Sequence, residues 1–306
     1  MEFLKFLEGL RNPVMDSFFS IITHLGEETV FILVGLVFFW CINKKQGYYI
    51  LSVGFAGTVI NQFLKLLFRI PRPWVRDESF TIVESARAEA TGYSFPSGHT
   101  QSALGVFGSI ARINRRAWVR IACIAVCVLV PLSRMWLGVH TPADVGVSTL
   151  VALVLVFALY PIVNKAMESK MGMRILFASM LVLSAAFLAF VLLFKFPADA
   201  DGENIAHGIS NAYKIAGCVL GLWLAYELDE RFIHFETTAV WWVQIIKLAA
   251  GLIPLLAIKS GLKAPLLALC GGNDIANGLR YFLITAFAGC VWPLTFKLFN
   301  RLSSKK

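Results

Sequence analysis

Long apolar segments are the feature that most restricts how this chain can fold. A helix needs about 20 apolar residues to cross the hydrocarbon core of a bilayer. Nine segments come close to that length, and polar residues gather between them. The nine are Asp16–Ile42, Tyr48–Phe68, Gly98–Ile113, Ala117–Leu137, Ala143–Val163, Ile175–Phe194, Ile209–Leu228, Ala239–Ile258 and Asp274–Phe299. We therefore predict an all-α fold, a polytopic bundle of membrane helices.

The composition supports a membrane protein and excludes other classes. Charged residues make up 15% of the 306 residues, against about 25% in an ordinary soluble domain. Hydrophobic residues make up 58%, and a soluble globule cannot hide so much apolar surface behind a charged exterior. A secreted soluble protein, a disordered chain and a fibrous repeat are thereby excluded. The 25 Phe and 8 Trp fit a lipid-facing surface with aromatic belts.

The excess of positive charge, +9 from 28 basic and 19 acidic residues, collects on one side of the predicted bundle. The basic residues on that side are Lys44, Lys45, Arg112, Arg115, Arg116, Arg120, Lys165, Lys170, Arg174, Arg301, Lys305 and Lys306. Because basic residues favour cytoplasmic loops, we predict that this side and the C-terminus are cytoplasmic. No Lys/Arg run of the kind that binds nucleic acid is present, so no nucleic-acid partner is expected.

Neither a disulfide framework nor a metal site is predicted. Most of the six cysteines lie in apolar stretches without a His or Cys cluster beside them. Asp199, Asp201 and Glu203 have the spacing of part of a calcium loop, but the remainder of that loop is missing. The N-terminus has no cleavage site of the signal-peptide type. We expect an integral membrane protein that needs no cofactor.

Three short polar segments stand out, each where a loop meets a predicted membrane helix. They are Lys65–Pro73, Pro96–His99 and Ser133–Asp144. Under the predicted topology all three lie on the extracytoplasmic face. Polar residues concentrated at one membrane edge are expensive to keep there and are typical of a functional site.

The cations of these segments predict a phosphate site. Lys65, Arg72 and Arg134 need anionic partners at a membrane edge, and the forked guanidinium matches phosphate oxygens. Ser97 is well placed as the N-cap of a helix that begins near Gly98, whose free amides and positive dipole end attract an anion. Taken alone, Lys65 or Arg134 is more often an interfacial anchor. Together the five residues predict a cradle for a phosphoryl group.

Two histidines and an aspartate supply reactivity to this cradle. Thr141 and Pro142 are typical of a helix start, which places His140 just before the helix and Asp144 one turn inside it. A carboxylate there can fix the tautomer of the imidazole and leave the other ring nitrogen free to attack. His99 is the remaining ionisable group near the cradle, and it suits a general acid.

The order Lys-x6-Arg-Pro, Pro-Ser-Gly-His and Ser-Arg-x5-His-x3-Asp resembles the type 2 phosphatidic acid phosphatase superfamily. This superfamily includes the lipid phosphate phosphatases and resembles the vanadium haloperoxidases. All eleven fixed positions agree over roughly residues 15–165. The resemblance implies a six-helix membrane bundle and metal-independent phosphate ester hydrolysis through a phosphohistidine. It assigns His140 as nucleophile, Asp144 as its partner and His99 as general acid. It makes Lys65, Arg72, Ser97, Gly98 and Arg134 phosphate ligands.

The C-terminal part of the chain exceeds the minimal plan of this family. We predict a membrane phosphatase core at residues 1–170, which carries the three motifs. Residues 171–306 are predicted to add the sixth core helix and a C-terminal extension, with about three transmembrane helices beyond the core. That longer layout is similar to the sphingosine-1-phosphate and glucose-6-phosphatase branches.

The predicted function is hydrolysis of a lipid phosphate or diphosphate, with membrane lipids as the surroundings. Isoprenoid diphosphate, phosphatidylglycerol phosphate and phosphatidate are candidate substrates. A sphingoid-phosphate or sugar-phosphate phosphatase is an alternative. A phospholipid transporter or flippase that binds through the cationic site is a second alternative, although the chain lacks an inverted repeat. N-glycosylation sequons are absent, which favours a bacterial plasma membrane, with the active site facing outside.

Overall fold

The computed structural model describes the chain from Met1 to Ser303, and the side chains of residues 1–300. The described residues form helices and no β-strand, which confirms the all-α prediction. The helices are α1 (Glu2–Gly9), α2 (Pro13–Thr23), α3 (Glu28–Val37), α4 (Lys44–Phe68), α5 (Pro73–Arg76), α6 (Gly98–Ile113), α7 (Ala117–Trp136), α8 (Pro142–Ala166), α9 (Lys170–Leu193), α10 (Gly202–Leu228), α11 (Trp241–Gly261), α12 (Lys263–Leu269), α13 (Ile275–Ala286) and α14 (Phe296–Ser303). Short 3₁₀ turns occupy His24–Gly26, Glu84–Ala86 and Pro293–Thr295, and π turns occupy Phe38–Ile42, Asp229–Ile233 and Phe287–Val291.

All nine predicted segments fall on helices, but fewer of them qualify as membrane spans. Six helical stretches among the described residues are long and apolar enough to cross a bilayer. They are Lys44–Arg76, Ala117–Trp136, Pro142–Ala166, Lys170–Leu193, Trp241–Gly261 and Ile275–Asn300. The first predicted segment is a pair of helices bent by 52°, and counting that pair as one span gives seven. The helix α6 has only 16 residues, and α10 carries Lys214 and Glu227 within its length.

The chain forms two compact units. The first, here called the motif unit, comprises Met1–Gly35, Tyr49–Ile162 and Phe196–His207. The second, the extension unit, comprises Leu36–Tyr48, Val163–Lys195 and Gly208–Lys306. All three polar segments of the sequence lie in the motif unit.

In the motif unit, the N-terminal helices brace the loops that carry the motifs. The helices α1 and α2 pack against α7, and α6 packs along α7. The guanidinium of Arg11 donates to the carbonyl of Trp136 (3.0 Å) and to that of Thr81 (2.7 Å). Gly138 adopts φ +81°, and a Cβ atom there would lie 2.6 Å from Arg11 Nη2. The turn before His140 therefore requires glycine at residue 138, and Arg11 of the N-terminal segment packs against it.

The interior of the extension unit is built from aromatic rings and closely packed glycines. The rings of Trp40, Trp292 and Phe296 contact one another in tilted and edge-to-face arrangements, with centroids 6.3–6.4 Å apart. A Cβ atom at Gly217 would lie 2.0 Å from the carbonyl oxygen of Gly278, so α10 and α13 touch backbone to backbone. Small residues at such contacts are typical of membrane helix packing.

Candidate active site

The second motif forms the start of α6, as its sequence predicts. Ser97 is fully buried, and its hydroxyl caps the helix by accepting from the amide of Thr100 (3.4 Å). The backbone of Ser97 is fixed as well, because its amide donates to the carbonyl of Asp144 (3.1 Å) and its carbonyl accepts from the hydroxyl of Ser148 (2.8 Å). These bonds join the start of α6 to the first two turns of α8.

The third motif forms a turn and the start of α8. The helix begins at Pro142, and Thr141 and Asp144 cap it reciprocally. The Asp144 carboxylate accepts from the amide of Thr141 (2.8 Å), and the Thr141 hydroxyl accepts from the amide of Asp144 (3.3 Å). The carbonyl of Arg134 accepts from the amides of Val139 (3.1 Å) and His140 (3.3 Å). Local capping and the end of α7 thus position the imidazole of His140.

The imidazole of His140 lies between a carboxylate and a guanidinium. Its Nδ1 is 3.4 Å from Asp144 Oδ2, and its Nε2 is 2.9 Å from Arg72 Nη1. Because a guanidinium can only donate, Nε2 accepts that bond and the ring proton is assigned to Nδ1. The same Asp144 oxygen also accepts from the hydroxyl of Ser94 (2.6 Å). Nε2 therefore carries the lone pair of the ring, which accepts from Arg72 in this structure and must leave that bond before it can attack a ligand.

Arg72 and Lys65 are buried and are held mainly by backbone carbonyls. The guanidinium of Arg72 donates to the carbonyls of Thr91 (2.6 Å), Gly92 (3.0 Å) and Val139 (3.0 Å). The ammonium of Lys65 donates to the carbonyl of Tyr93. Neutral carbonyls fix the positions of these cations without neutralising their charge. In the described structure neither side chain forms a salt bridge, so both can bind an anionic ligand.

Arg134 and His99 supply further donors that no described protein group satisfies. Arg134 is completely buried, and its Nη1 donates to the hydroxyl of Thr23 (2.7 Å). Its Nε and Nη2 have no hydrogen-bond partner in the described part of the chain, and neither does Nε2 of His99. Buried polar groups are normally paired, so these atoms are typical of a site that receives a polar ligand.

Burial and the surrounding cations lower the pKa of His140 well below its ordinary value. Burial is the largest cause, followed by the positive charges of Arg72, Arg134 and Lys65. His140 lies in the turn between two membrane-spanning helices, α7 and α8. A lowered pKa keeps its imidazole neutral, as a nucleophile requires.

The motif unit thus contains all eight predicted site residues, and several side chains that sequence reasoning missed. Ser94 shares the Asp144 carboxylate, Thr23 holds Arg134, and Ser148 ties α8 to Ser97. Ser148 follows Asp144 by one helical turn, which is a usable sequence signal. Ser94 and Thr23 come from separate parts of the chain and carry no such signal. His99 makes no hydrogen bond to His140 or Asp144 in the described structure.

Comparison with known protein families finds two matches along the chain. Residues 45–168 match the PAP2 superfamily, and residues 213–305 match the transmembrane extension of PAP2 superfamily phosphatases. The first match contains all three motifs. The second lies within the C-terminal helices, for which the sequence offered no motif. No solved structure matches the chain.

Individual relatives are named as phosphatases of lipid phosphates. The undecaprenyl-diphosphatase BcrC of Bacillus subtilis (strain 168) is 33% identical over 165 residues, which cover 52% of this chain and 81% of that protein. Phosphatidylglycerophosphatase B of the same organism is 29% identical over 149 residues, 44% of this chain and 69% of that protein. A probable sphingosine-1-phosphate phosphatase of Dictyostelium discoideum is 28% identical, over 50% of this chain and 39% of that protein. This chain belongs to the PAP2 superfamily of membrane phosphatases.

Proposed function

We propose that this protein hydrolyses a lipid phosphate or diphosphate by attack of His140 Nε2 on phosphorus. The observation that carries the proposal is the pairing of that nitrogen with Arg72 Nη1 at 2.9 Å, with Asp144 on the other side of the ring. A phosphoryl group that approaches Nε2 therefore comes within hydrogen-bond distance of the Arg72 guanidinium. The nucleophile and the group that stabilises the transferring charge are therefore adjacent before substrate binds.

The remaining residues divide the first half of the reaction between charge stabilisation and proton transfer. Lys65, Arg134 and the amides at the start of α6, with Ser97 and Gly98, hold the oxygens of the transferring group. Preorganised positive charge of this kind is the main catalytic contribution expected in phosphoryl transfer. The negative charge of the bound phosphate offsets the surrounding cations, so His99 is protonated in the complex. It gives its proton to the departing oxygen as the bond from phosphorus to that oxygen breaks.

Water completes the reaction. It attacks the phosphorus of the phosphohistidine, the P–N bond breaks, and the electron pair returns to Nε2 of His140. His99, now neutral, takes the proton of the water. Inorganic phosphate leaves and both histidines return to their starting states.

The substrate proposed is a membrane lipid that carries a terminal phosphate or diphosphate. The names of the Bacillus relatives support an isoprenoid diphosphate or phosphatidylglycerol phosphate, and phosphatidate shares the same reacting group. A sphingoid phosphate has support from the more distant Dictyostelium relative. The cationic site itself recognises only the phosphoryl group these lipids share.

The proposed location is a bacterial plasma membrane, with the active site outside and the C-terminus in the cytoplasm. Basic loop residues on the opposite side from the motifs support this orientation. We further propose that residues 1–170 form the phosphatase core and residues 171–306 an extension. Single cysteines at Asp199 or Lys170, introduced after the six native cysteines are replaced, test the orientation. Only the cysteine at residue 199 should react with an impermeant reagent in intact cells.

A phosphate-release panel tests the activity. Purified protein is assayed with undecaprenyl diphosphate, phosphatidylglycerol phosphate, phosphatidate, sphingosine-1-phosphate and glucose-6-phosphate, with H140A as the blank. We expect release from at least one lipid substrate, unaffected by EDTA, because side-chain cations hold the charge. Orthovanadate should inhibit competitively as a mimic of the transition state. Strict dependence on added divalent metal, or phospholipid translocation without phosphate release, would contradict the proposal.

A further inference from the structure

Two buried carboxamides beside the catalytic cradle lack protein partners. Asn61 on α4 is 3% exposed and Gln101 on α6 is 5% exposed. Neither the nitrogen nor the oxygen of either side chain bonds a protein group in the described part of the chain. Buried amides are normally satisfied, so four unpaired atoms at one helix contact indicate a polar ligand.

These amides lie where α4 and α6 touch. A Cβ atom at Gly57 would be 2.6 Å from Gln101 Nε2, and one at Gly98 would be 3.8 Å from Asn61 Oδ1. Gly57 lies beside Gln101, and Asn61 lies beside Gly98. Residue numbers therefore rise along α4 as they fall along α6, so the two helices run antiparallel. Asn61 therefore stands beside the first residue of α6, and Gln101 lies nearly one turn further along α6.

Asn61 also precedes Lys65 by four residues and shares its face of α4. Its carboxamide is thus within one helical turn of a proposed phosphate ligand on its own helix. It is beside a second proposed ligand, Gly98, on the neighbouring helix. No other carboxamide in the described residues combines these two positions with complete burial of its polar atoms.

We propose that Asn61 is a further phosphate-binding residue of this site, and that Gln101 positions it. The ligand is a phosphoryl oxygen, and the inference rests on the proposed function. When a phosphoryl oxygen binds at the start of α6, the Asn61 carboxamide turns so that its Nδ2 donates to that oxygen and its Oδ1 accepts from Gln101. Neither hydrogen bond is made in the described structure, where Oδ1 is the atom beside Gly98. A neutral amide adds a donor where Lys65, Arg72 and Arg134 already concentrate positive charge, so it strengthens binding without further repulsion.

Replacement of Asn61 by its isosteric acid tests this directly. At pH 8, N61D should lower kcat/KM about 100-fold and weaken orthovanadate inhibition to a similar degree, the size expected for loss of one oxyanion donor. A carboxylate at this place repels phosphate. Lowering the pH should protonate that carboxyl and recover at least about tenfold of the loss relative to wild type. The uncharged variant N61L separates the lost donor from this repulsion, because it should also weaken vanadate inhibition, whereas a purely structural amide would leave the vanadate affinity of the folded variant unchanged.

The matched control is Q62E, which adds the same charge at the adjacent position of α4. Gln62 is partly exposed and is not one of the buried, unpartnered amides. Its variant should stay within about threefold of wild type at every pH. If N61D does not fold, N61L replaces it, with the weakened vanadate inhibition as the readout.

The role of Gln101 is tested by non-additivity. Q101M should reduce vanadate affinity less than N61L, and the double variant N61L/Q101M should be no weaker than N61L alone, because Gln101 acts through Asn61. Additive losses would contradict the positioning role.

Failure of the inference is separable from failure of the proposed function. Binding of orthovanadate is measured by thermal stabilisation of the purified protein, independently of any lipid substrate. If vanadate raises the unfolding temperature of wild type and N61D equally, Asn61 is not a phosphate ligand, and the proposed phosphatase activity is unaffected. A wild-type protein that neither binds vanadate nor releases phosphate would overturn both.

Discussion

The motif unit and the extension unit bury charged groups in different ways. In the motif unit, Lys65, Arg72 and Arg134 are all buried and all act on the imidazole of His140. In the extension unit, the buried Lys247 contacts the ring of Phe296 (4.4 Å) and a backbone carbonyl. The paired charges Arg174 and Glu227 lie nearer its surface (39% and 22% exposed).

This difference separates a unit organised for chemistry from one organised for packing. Burial of several cations around one uncharged side chain destabilises the folded protein unless an anionic ligand binds among them. Aromatic rings and glycine contacts, by contrast, stabilise a helix bundle without preparing a site. We therefore expect substitutions in the motif unit to reduce turnover with the fold intact. Substitutions in the extension unit should mainly reduce stability.

The largest effect is expected for H140A. Loss of the nucleophile should lower turnover at least about 10⁴-fold. The unfolding temperature should stay within a few degrees of the wild-type value. The control H207A removes an exposed histidine and should keep wild-type turnover. Turnover of H140A near the wild-type rate would remove His140 from the mechanism.

A smaller loss is expected when Arg72 becomes lysine. A single ammonium cannot bond the carbonyls of Thr91, Gly92 and Val139 and also reach His140 Nε2. R72K should therefore lower kcat about 10²–10³-fold. The same exchange in the extension unit, R174K, should change kcat less than about twofold, since that pair is partly exposed. Equal effects of R72K and R174K on kcat would show that Arg72 contributes no more to turnover than Arg174 does.

The extension unit should respond to overpacking instead. G217A places a Cβ atom 2.0 Å from a backbone carbonyl oxygen, which should destabilise the protein by about 1–3 kcal/mol. Thermal unfolding in detergent measures this effect, and the activity per folded molecule should stay at the wild-type level. G261A is the control, because a Cβ there meets nothing within 4 Å. Loss of activity in folded G217A would contradict a packing role.

The smallest effect concerns the protonation of His140. Its pKa is lowered by burial and by three cations, so its imidazole should remain neutral as the pH falls through about 6.5, the ordinary histidine value. R134Q removes one of those charges and should raise the pKa, so that the ring protonates at a higher pH. A ¹⁵N NMR titration of His140 follows this change, and R174Q should leave the titration unaltered. A His140 pKa at or above 6.5 in the wild type would contradict the electrostatic argument.

Local signals account for what the sequence predicted. Ser97 and Pro142 mark the starts of α6 and α8 because capping depends on neighbouring residues alone. The polar residues His24, Glu27 and Glu28 interrupt the first apolar segment, but they do not by themselves predict its bend of 52° after Gly26. A Cβ at Gly26 would lie 2.7 Å from the carbonyl oxygen of His99, so a distant contact confines that turn.

The supporting residues of the site depend on tertiary contacts in the same way. Asp144 was expected to orient His140, yet it lies at 3.4 Å and shares its oxygen with Ser94 at 2.6 Å. Ser94 is 50 residues away along the chain. Periodicity and spacing describe residues on one element, so they cannot identify a partner supplied by another.

Trapping the reaction intermediate shows whether Nε2 of His140 receives the phosphoryl group. Wild-type protein is mixed with ³²P-labelled lipid phosphate, quenched in alkali within milliseconds and mapped by mass spectrometry. We predict an acid-labile, alkali-stable phosphohistidine at residue 140, substituted on Nε2 and absent from H140A. Phosphate on His99, phosphate on Nδ1 of His140, or steady turnover with no labelled protein at any time would exclude Nε2 of His140 as the nucleophile.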